Sequence, residues 1–167
     1  EKAGSKPLDR ILRKVRGVED AASLLAFTAE LHRSGLGALF EVGVLPDFKN
    51  PDLNVAILIQ GGLGLPDRDY YLSDGEDQRA VLEAYRSHVA RMLALLGDGD
   101  DRAVAGAAAV VDLETRLAEA SRDRTAMRDL EKLYNRLDLK GLAELTPGLP
   151  WGAYLEAPDR PGLVQSS

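Results

Sequence analysis

The 167-residue chain has no cysteine, so it can form neither a disulfide nor a thiolate metal site. Histidine is almost missing too, with only His32 and His88. Aromatic residues make up 5%. No apolar run approaches the roughly 20 residues that cross a bilayer. Residues 1–17 are charged throughout and lack the apolar stretch of a signal peptide. The first residue is Glu1, not Met, as expected of a processed or truncated polypeptide. A net charge of −6 and a pI near 5.0 leave no basic excess, so no nucleic-acid partner is expected. Compartment stays open, since exported bacterial proteins also manage without cysteine.

What is present suits a folded helical chain. Hydrophobic residues make up 45% and charged residues 29%, and Ala, Leu and Arg, all good helix formers, abound. Ser5 is placed to cap a helix with Pro7 in its first turn, followed by Leu8, Ile11, Leu12 and Val15 and stopped by Gly17. A second helix is expected from about Glu19 to Ser34, with an acidic first turn, a stripe of Ala21, Leu24, Leu25, Thr28, Leu31 and His32, and a stop at Gly35. The period then changes. Residues 39–45 and 53–60 read as two strands, the second apolar enough to be covered on both faces, joined by a polar connection over 46–52. Such a hairpin must lean on helices.

Ser73 or Asp74 then opens a helix to about Leu96, with a stripe of Val81, Leu82, Tyr85, Val89, Met92, Leu93 and Leu96. After the break at residues 97–101, another helix is expected over about 102–121. Its inner positions are Val104, Ala107, Ala108, Val111, Leu113 and Leu117. Short helical turns over 130–137 and 139–145, with Asp138 as a cap, lead to Trp151 and Tyr154. Pro158 and Pro161 punctuate the end. The fold class is mainly α, a helical bundle-like subdomain with one small β-hairpin.

Familiar catalytic constellations are missing. A metallopeptidase helix needs H-E-x-x-H, but His32 and His88 are followed by Arg33 and Val89, so packing or a helix-end contact is expected of both. Asp98, Asp100 and Asp101 do not make a calcium loop, because Arg102 and Ala103 stand where a ligand and a glycine are required. Gly62 and Gly64 lack the third glycine of a dinucleotide loop, and no G-x-S-x-G occurs.

The densest stretch is residues 61–72, GGLGLPDRDYYL. Glycine and proline forbid regular structure there. Arg68 or the tyrosines could face a ligand. The preferred reading is structural: Arg68 forks onto acids, Asp69 caps the backbone, and the rings of Tyr70 and Tyr71 fill a buried junction. Glu114 sits inside an apolar stripe, where a carboxylate must find a partner. Arg68 is expected to pair with Asp67, Asp69 or Glu114, in which case Arg68→Ala would cost about 3–5 kcal/mol.

The string Gly64-Leu65-Pro66-Asp67-Arg68-Asp69-Tyr70-Tyr71 closely resembles a hallmark of the neprilysin and endothelin-converting-enzyme family of zinc metalloendopeptidases, in its N-terminal, non-catalytic region. Leu113-Glu114 through Leu117-Ala118 is similar to that family's L-E-x-x-L-A helix. Tyr134-Asn135 matches its Y-N pair, and Phe48–Asn50 fits its D-x-K-N connection. Pro150-Trp151 is similar to a P-x-x-W-type segment. The resemblance runs from about Pro7 to Tyr154 and implies that 1–167 is a piece of the helical domain that encloses the cavity of an oligopeptide-cutting enzyme, the bacterial type being suggested by the missing cysteines. It also implies zinc in the whole enzyme but none bound by this chain, because no position here matches the zinc ligands. The implied partners are the catalytic domain of the same polypeptide and the peptide substrates. The implied location is extracellular, periplasmic or membrane-anchored. A piece of this kind is expected to expose apolar surface and to self-associate. The alternative is a stand-alone helical interaction module without enzymatic activity.

Overall fold

The computed structural model describes residues 6–156. Ser5 and the stretch 158–167, for which expectations are given above, lie outside them. The order is α1 (Asp9–Arg16), α2 (Ala21–Arg33), β1 (Phe40–Asp47), β2 (Asn50–Gln60), α3 (Asp69–Leu72), α4 (Glu76–Leu95), α5 (Asp100–Ala120), α6 (Leu130–Leu133), α7 (Leu139–Leu145) and α8 (Trp151–Leu155). The chain is therefore mainly α with one antiparallel hairpin. Its elements divide between two compact units, one formed by Gly62–Tyr134 and the other by Lys6–Gly61 with residues 135–156.

In the hairpin-containing unit, Pro7 lies in a 3₁₀ turn leading into α1, and the Gly17 N–H closes that helix on the Arg13 and Lys14 carbonyls. Helix α2 starts later than expected and has no acid in its first turn. Asp20 stands outside the helix as its cap. Its carboxylate accepts from the Ser23 N–H at 2.7 Å, while the Asp20 N–H donates to Ser23 Oγ at 3.1 Å, a reciprocal capping box. At the other end Gly35 takes φ +75°. Its N–H bonds to the His32 carbonyl, and the Leu36 N–H reaches Leu31, the Schellman closure that favours glycine.

The hairpin differs from expectation at its tip. Both strands run on through the polar stretch, leaving a two-residue link of Phe48 and Lys49, with Asp47 opposite Asn50 and Pro46 opposite Asn54. The extra residues 51–53 are accommodated as an irregularity in β2. Asp47, only 1% exposed, drives this turn: its Oδ1 accepts from the Lys49 N–H at 2.8 Å, and its Oδ2 meets the Arg136 guanidinium at 3.4 Å. The hairpin does lean on helices. Phe40 and Val42 pack against Leu25 and Ala29 of α2 and Trp151 and Tyr154 of α8. The expectation that β2 is covered on both faces fails, since Leu58 and Ile59 are 41% and 40% exposed.

His32 joins this core. Its ring meets Phe40 edge-on at 5.0 Å and lies within hydrogen-bond distance of the Tyr154 hydroxyl (2.7 Å, Nδ1) and the Ala38 carbonyl (3.1 Å, Nε2). A carbonyl only accepts, so Nε2 carries a proton and donates to Ala38. Asp138 caps α7 by accepting from the Gly141 N–H at 2.7 Å. The Trp151 indole N–H donates to Thr146 Oγ1 at 2.7 Å.

In the other unit α4 packs along α5. Helix α4 begins at a Gly75 cap instead of Ser73 or Asp74, although Ser73 Oγ does accept from the Gly75 N–H. Gly97, at φ +105°, ends α4 in the same manner as Gly35 ends α2. The inner face of α5 is built from Ala103, Ala107, Val111, Glu114 and Ala118. Val104 and Leu113, both expected inside, are 63% and 49% exposed, and Ala108 is exposed as well. Small residues win the inner face because the helices approach closely: a Cβ on Gly106 would sit 2.8 Å from Leu93 Cδ1. On α4, Val81, Met92 and His88 are exposed, so His88 does not take the packing role expected of it. Helix α6 is four residues long, shorter than the 130–137 expected.

Candidate functional site

The candidate site centres on Glu114. Position 114 follows Ala107 and Val111 on the inner face of α5, which carries its carboxylate into the interior, where the residue is 9% exposed. Two phenols meet it there. The Tyr71 O–H donates to Oε2 at 2.7 Å and the Tyr85 O–H donates to Oε1 at 2.9 Å. Tyr71 comes from α3 and is buried, while Tyr85 comes from the inner side of α4. The Tyr71 oxygen also accepts from the Leu65 N–H at 2.9 Å. One buried carboxylate thus ties together the glycine loop, α3, α4 and α5.

The remainder of the string serves the same junction. Gly64 has no positive φ; its need is spatial, because a Cβ there would collide with the Tyr85 hydroxyl and ring. Gly62 does take φ +82°. Asp67 Oδ1 accepts from the Asp69 N–H at 2.9 Å, and its Oδ2 pairs with Arg124 at 2.7 Å. The cap at this turn is therefore Asp67, whereas Asp69, expected in that role, is exposed. Arg68 donates from a guanidinium nitrogen to the Ser121 carbonyl at 2.8 Å, the residue that caps α5. A cation on the last carbonyls of a helix satisfies an acceptor left over by the helical pattern and complements the helix dipole. Among the described residues Arg68 makes no ion pair with Asp67, Asp69 or Glu114, so the expected arginine–acid pairing is replaced by this carbonyl contact. Pro66 is exposed and Tyr70 half-buried.

Burial raises both phenols above their ordinary range, and the hydrogen bond to Glu114 adds to the shift; Tyr85 is pushed up to about 12 and Tyr71 moves in the same direction. Both therefore stay protonated, as donors, throughout the neutral range. Each carboxylate oxygen already has a donor, so the cluster acts as an anchor and not as an acid–base pair. Tyr85 was legible in the sequence only as a member of an apolar stripe. Asp47 was missed as a buried carboxylate because it lies in a stretch rich in turn formers.

Among the described residues no group of three or more His, Asp or Glu side chains is placed to hold a metal. His32 has both ring nitrogens engaged. The described residues do not fit a zinc site.

A family model described as Peptidase family M13, N-terminal part, matches residues 1–166. The chain belongs to that family and corresponds to its N-terminal region. It is 33% identical over 165 residues to endothelin-converting enzyme 1 of Cavia porcellus, covering 93% of this chain and 21% of the relative. It is 34% identical over 146 residues to the human endothelin-converting enzyme-like 1, covering 86% and 17%. Among solved structures it is similar to the Mycobacterium tuberculosis zinc metalloprotease Zmp1 bound to an inhibitor, with a TM-score of 0.86, 35% identity, and coverage of 93% of this chain and 24% of that one. The fold also matches PepO of Lactobacillus rhamnosis HN001, with a TM-score of 0.71 at 20% identity, covering 95% and 24%. The chain spans about a fifth of the length of the curated relatives it matches.

Proposed function

We propose that these residues form the non-catalytic, cavity-enclosing helical part of a zinc metalloendopeptidase that hydrolyses oligopeptides, with the catalytic domain elsewhere in the same polypeptide. The observation that carries this reading is the match, over 93% of the chain at 35% identity, to one quarter of a zinc metalloprotease. The role of the Glu114 cluster is to hold α3, α4 and α5 in fixed register, so that this part can act as a rigid wall. The proposed partners are the remainder of the polypeptide and its peptide substrates, and the proposed location is extracellular, periplasmic or membrane-anchored. No helix among the described residues is long and apolar enough to cross a membrane.

Zinc content and peptidase activity test the proposal. The full-length polypeptide is expected to bind zinc and to cleave short peptides in a chelator-sensitive manner, while the 167-residue chain does neither. Stoichiometric zinc on the short chain, or a full-length polypeptide without peptidase activity, would overturn it. The latter result would favour an interaction module.

A further inference from the structure

Helix α4 is 20 residues long, yet none of its residues is buried. Its inner face, Leu82, Tyr85, Val89, Leu93 and Leu96, is only half-buried. The facing helix α5 offers it mainly alanine, at Ala103, Ala107 and Ala118. A second stripe runs beside the first. Val81, Ala84, His88, Met92 and Leu95 recur at spacings of three and four, which at about 100° per residue gathers them within an arc of roughly 80°. All five are exposed, with Val81, Met92 and Leu95 at 39%, 47% and 74%. None is an acid, a lysine or an arginine, although Arg91 borders the row. The charges of the middle turns keep to the far side, where Arg86 donates to Glu83 at 2.8 Å. Helices in proteins draw most of their stability from a packed apolar face. Here α3 and α5, the described elements that pack on α4, leave the second stripe in water.

We infer that this stripe, from Val81 to Leu95, is the docking surface for an amphipathic helix of the same polypeptide that lies outside these 167 residues. The inference rests on the functional reading above. Five side chains in one row along about 21 Å form a ridge of the kind that seats between the side-chain rows of a second helix. A continuous uncharged strip differs from the single apolar side chains that a solvent-facing helix carries. The occupant is argued from length. The chain covers 21% of a matched relative, so in such a polypeptide most residues lie outside, tethered and at high effective concentration. The partner helix is apolar along its contact apart from one hydrogen-bonding group opposite His88, the polar member in the middle of the row.

Single cysteines test this in the full-length polypeptide, with labelled sites assigned by peptide mass. Val81→Cys and Leu95→Cys are expected to react with a maleimide at least tenfold more slowly than Glu83→Cys, on the far side of the same helix, in a monomeric preparation. A smaller difference would overturn the inference. So would protection that appears only as concentration rises, because the occupant would then be a second copy. Should a variant fail to fold, Met92 gives the same reading in the unsubstituted polypeptide. Its oxidation by hydrogen peroxide is expected to be at least tenfold slower in the folded polypeptide than in urea, and a smaller difference rejects the docking surface. Peptidase activity of the same preparation separates the two proposals. An inactive polypeptide counts against the functional reading, whereas an active Leu95→Cys variant that labels as fast as Glu83→Cys counts against the docking surface alone.

Discussion

Glu114 was recognisable in the sequence as a problem, a carboxylate on an apolar stripe, but its solution was not. Phenols read as core filler, and nothing in a one-dimensional pattern marks Tyr71 and Tyr85 as donors to one acceptor. The partner of Arg68 was less legible still, being a main-chain carbonyl with no side-chain signature. These contacts rank the substitutions. Glu114→Ala removes the acceptor of one buried and one half-buried hydroxyl and is expected to cost about 2–4 kcal/mol, whereas Arg68→Ala loses one charge-assisted hydrogen bond and costs about 1–2 kcal/mol. Urea midpoints for the two variants check the order, and a larger loss for Arg68 would mean that a buried acid depends on it after all. Gly64→Ala is expected to cost about 1–3 kcal/mol through overpacking against Tyr85. In a Tyr85→Ala background the same change should add less than about 0.5 kcal/mol, so a double-mutant cycle reads the clash directly. The phenols also set an alkaline limit. Their folded values lie above the ordinary value near 10, so their contribution to stability is complete below about pH 10 and is lost as pH rises through about 12 for Tyr85. Absorbance at 295 nm should show two of the five tyrosines ionising together with loss of helical circular dichroism. Five phenols titrating near pH 10 with the helices intact would contradict this.

At the scale of elements, helix positions and ends were largely legible, because caps and glycine stops act locally. Asp138, Gly17, Gly35 and Gly97 fall where such chemistry places them. Inner faces were less so. Periodicity offered Val104 and Leu113 for the interior of α5, but the distance to α4 decides the matter, and only Ala103, Ala107 and Gly106 allow the approach observed. The hairpin tip was misread because Pro, Asp, Asn and Lys over 46–52 look like a loop, while the buried Asp47 carboxylate turns the chain within two residues. Asp47 is therefore expected to matter more than its basic neighbour. Asp47→Ala should lower stability by about 1–3 kcal/mol, and Arg136→Ala, whose side chain is 60% exposed, by no more than about 1 kcal/mol. Thermal melts of both variants distinguish this from a simple ion pair, in which the two losses would be equal.

At the scale of the whole molecule, a mainly helical class with one hairpin followed from composition and period. The division into two units did not, because it depends on contacts between residues far apart: residues 135–156 belong with residues 6–61. The string at residues 64–71 identified the family because it is specific, although its contacts could be read only in three dimensions. Large apolar side chains remain in water here, among them Leu95 at 74% and Leu145 at 69% exposed. The isolated 167-residue chain is accordingly expected to associate as its concentration rises. Sedimentation velocity over a hundredfold range tests this, and a single monomeric boundary throughout would refute it.

The Arg68–Ser121 contact places no demand on the side chain at one of its two ends. Its acceptor is a main-chain oxygen, so any residue at 121 can supply it, and substitutions there leave Arg68 engaged. The neighbouring pair behaves differently, since the missing side chain at 64 and the ring at 85 occupy one volume. In this chain a substitution at 121 is expected to leave Arg68 engaged, while a side chain added at 64 requires a smaller one at 85.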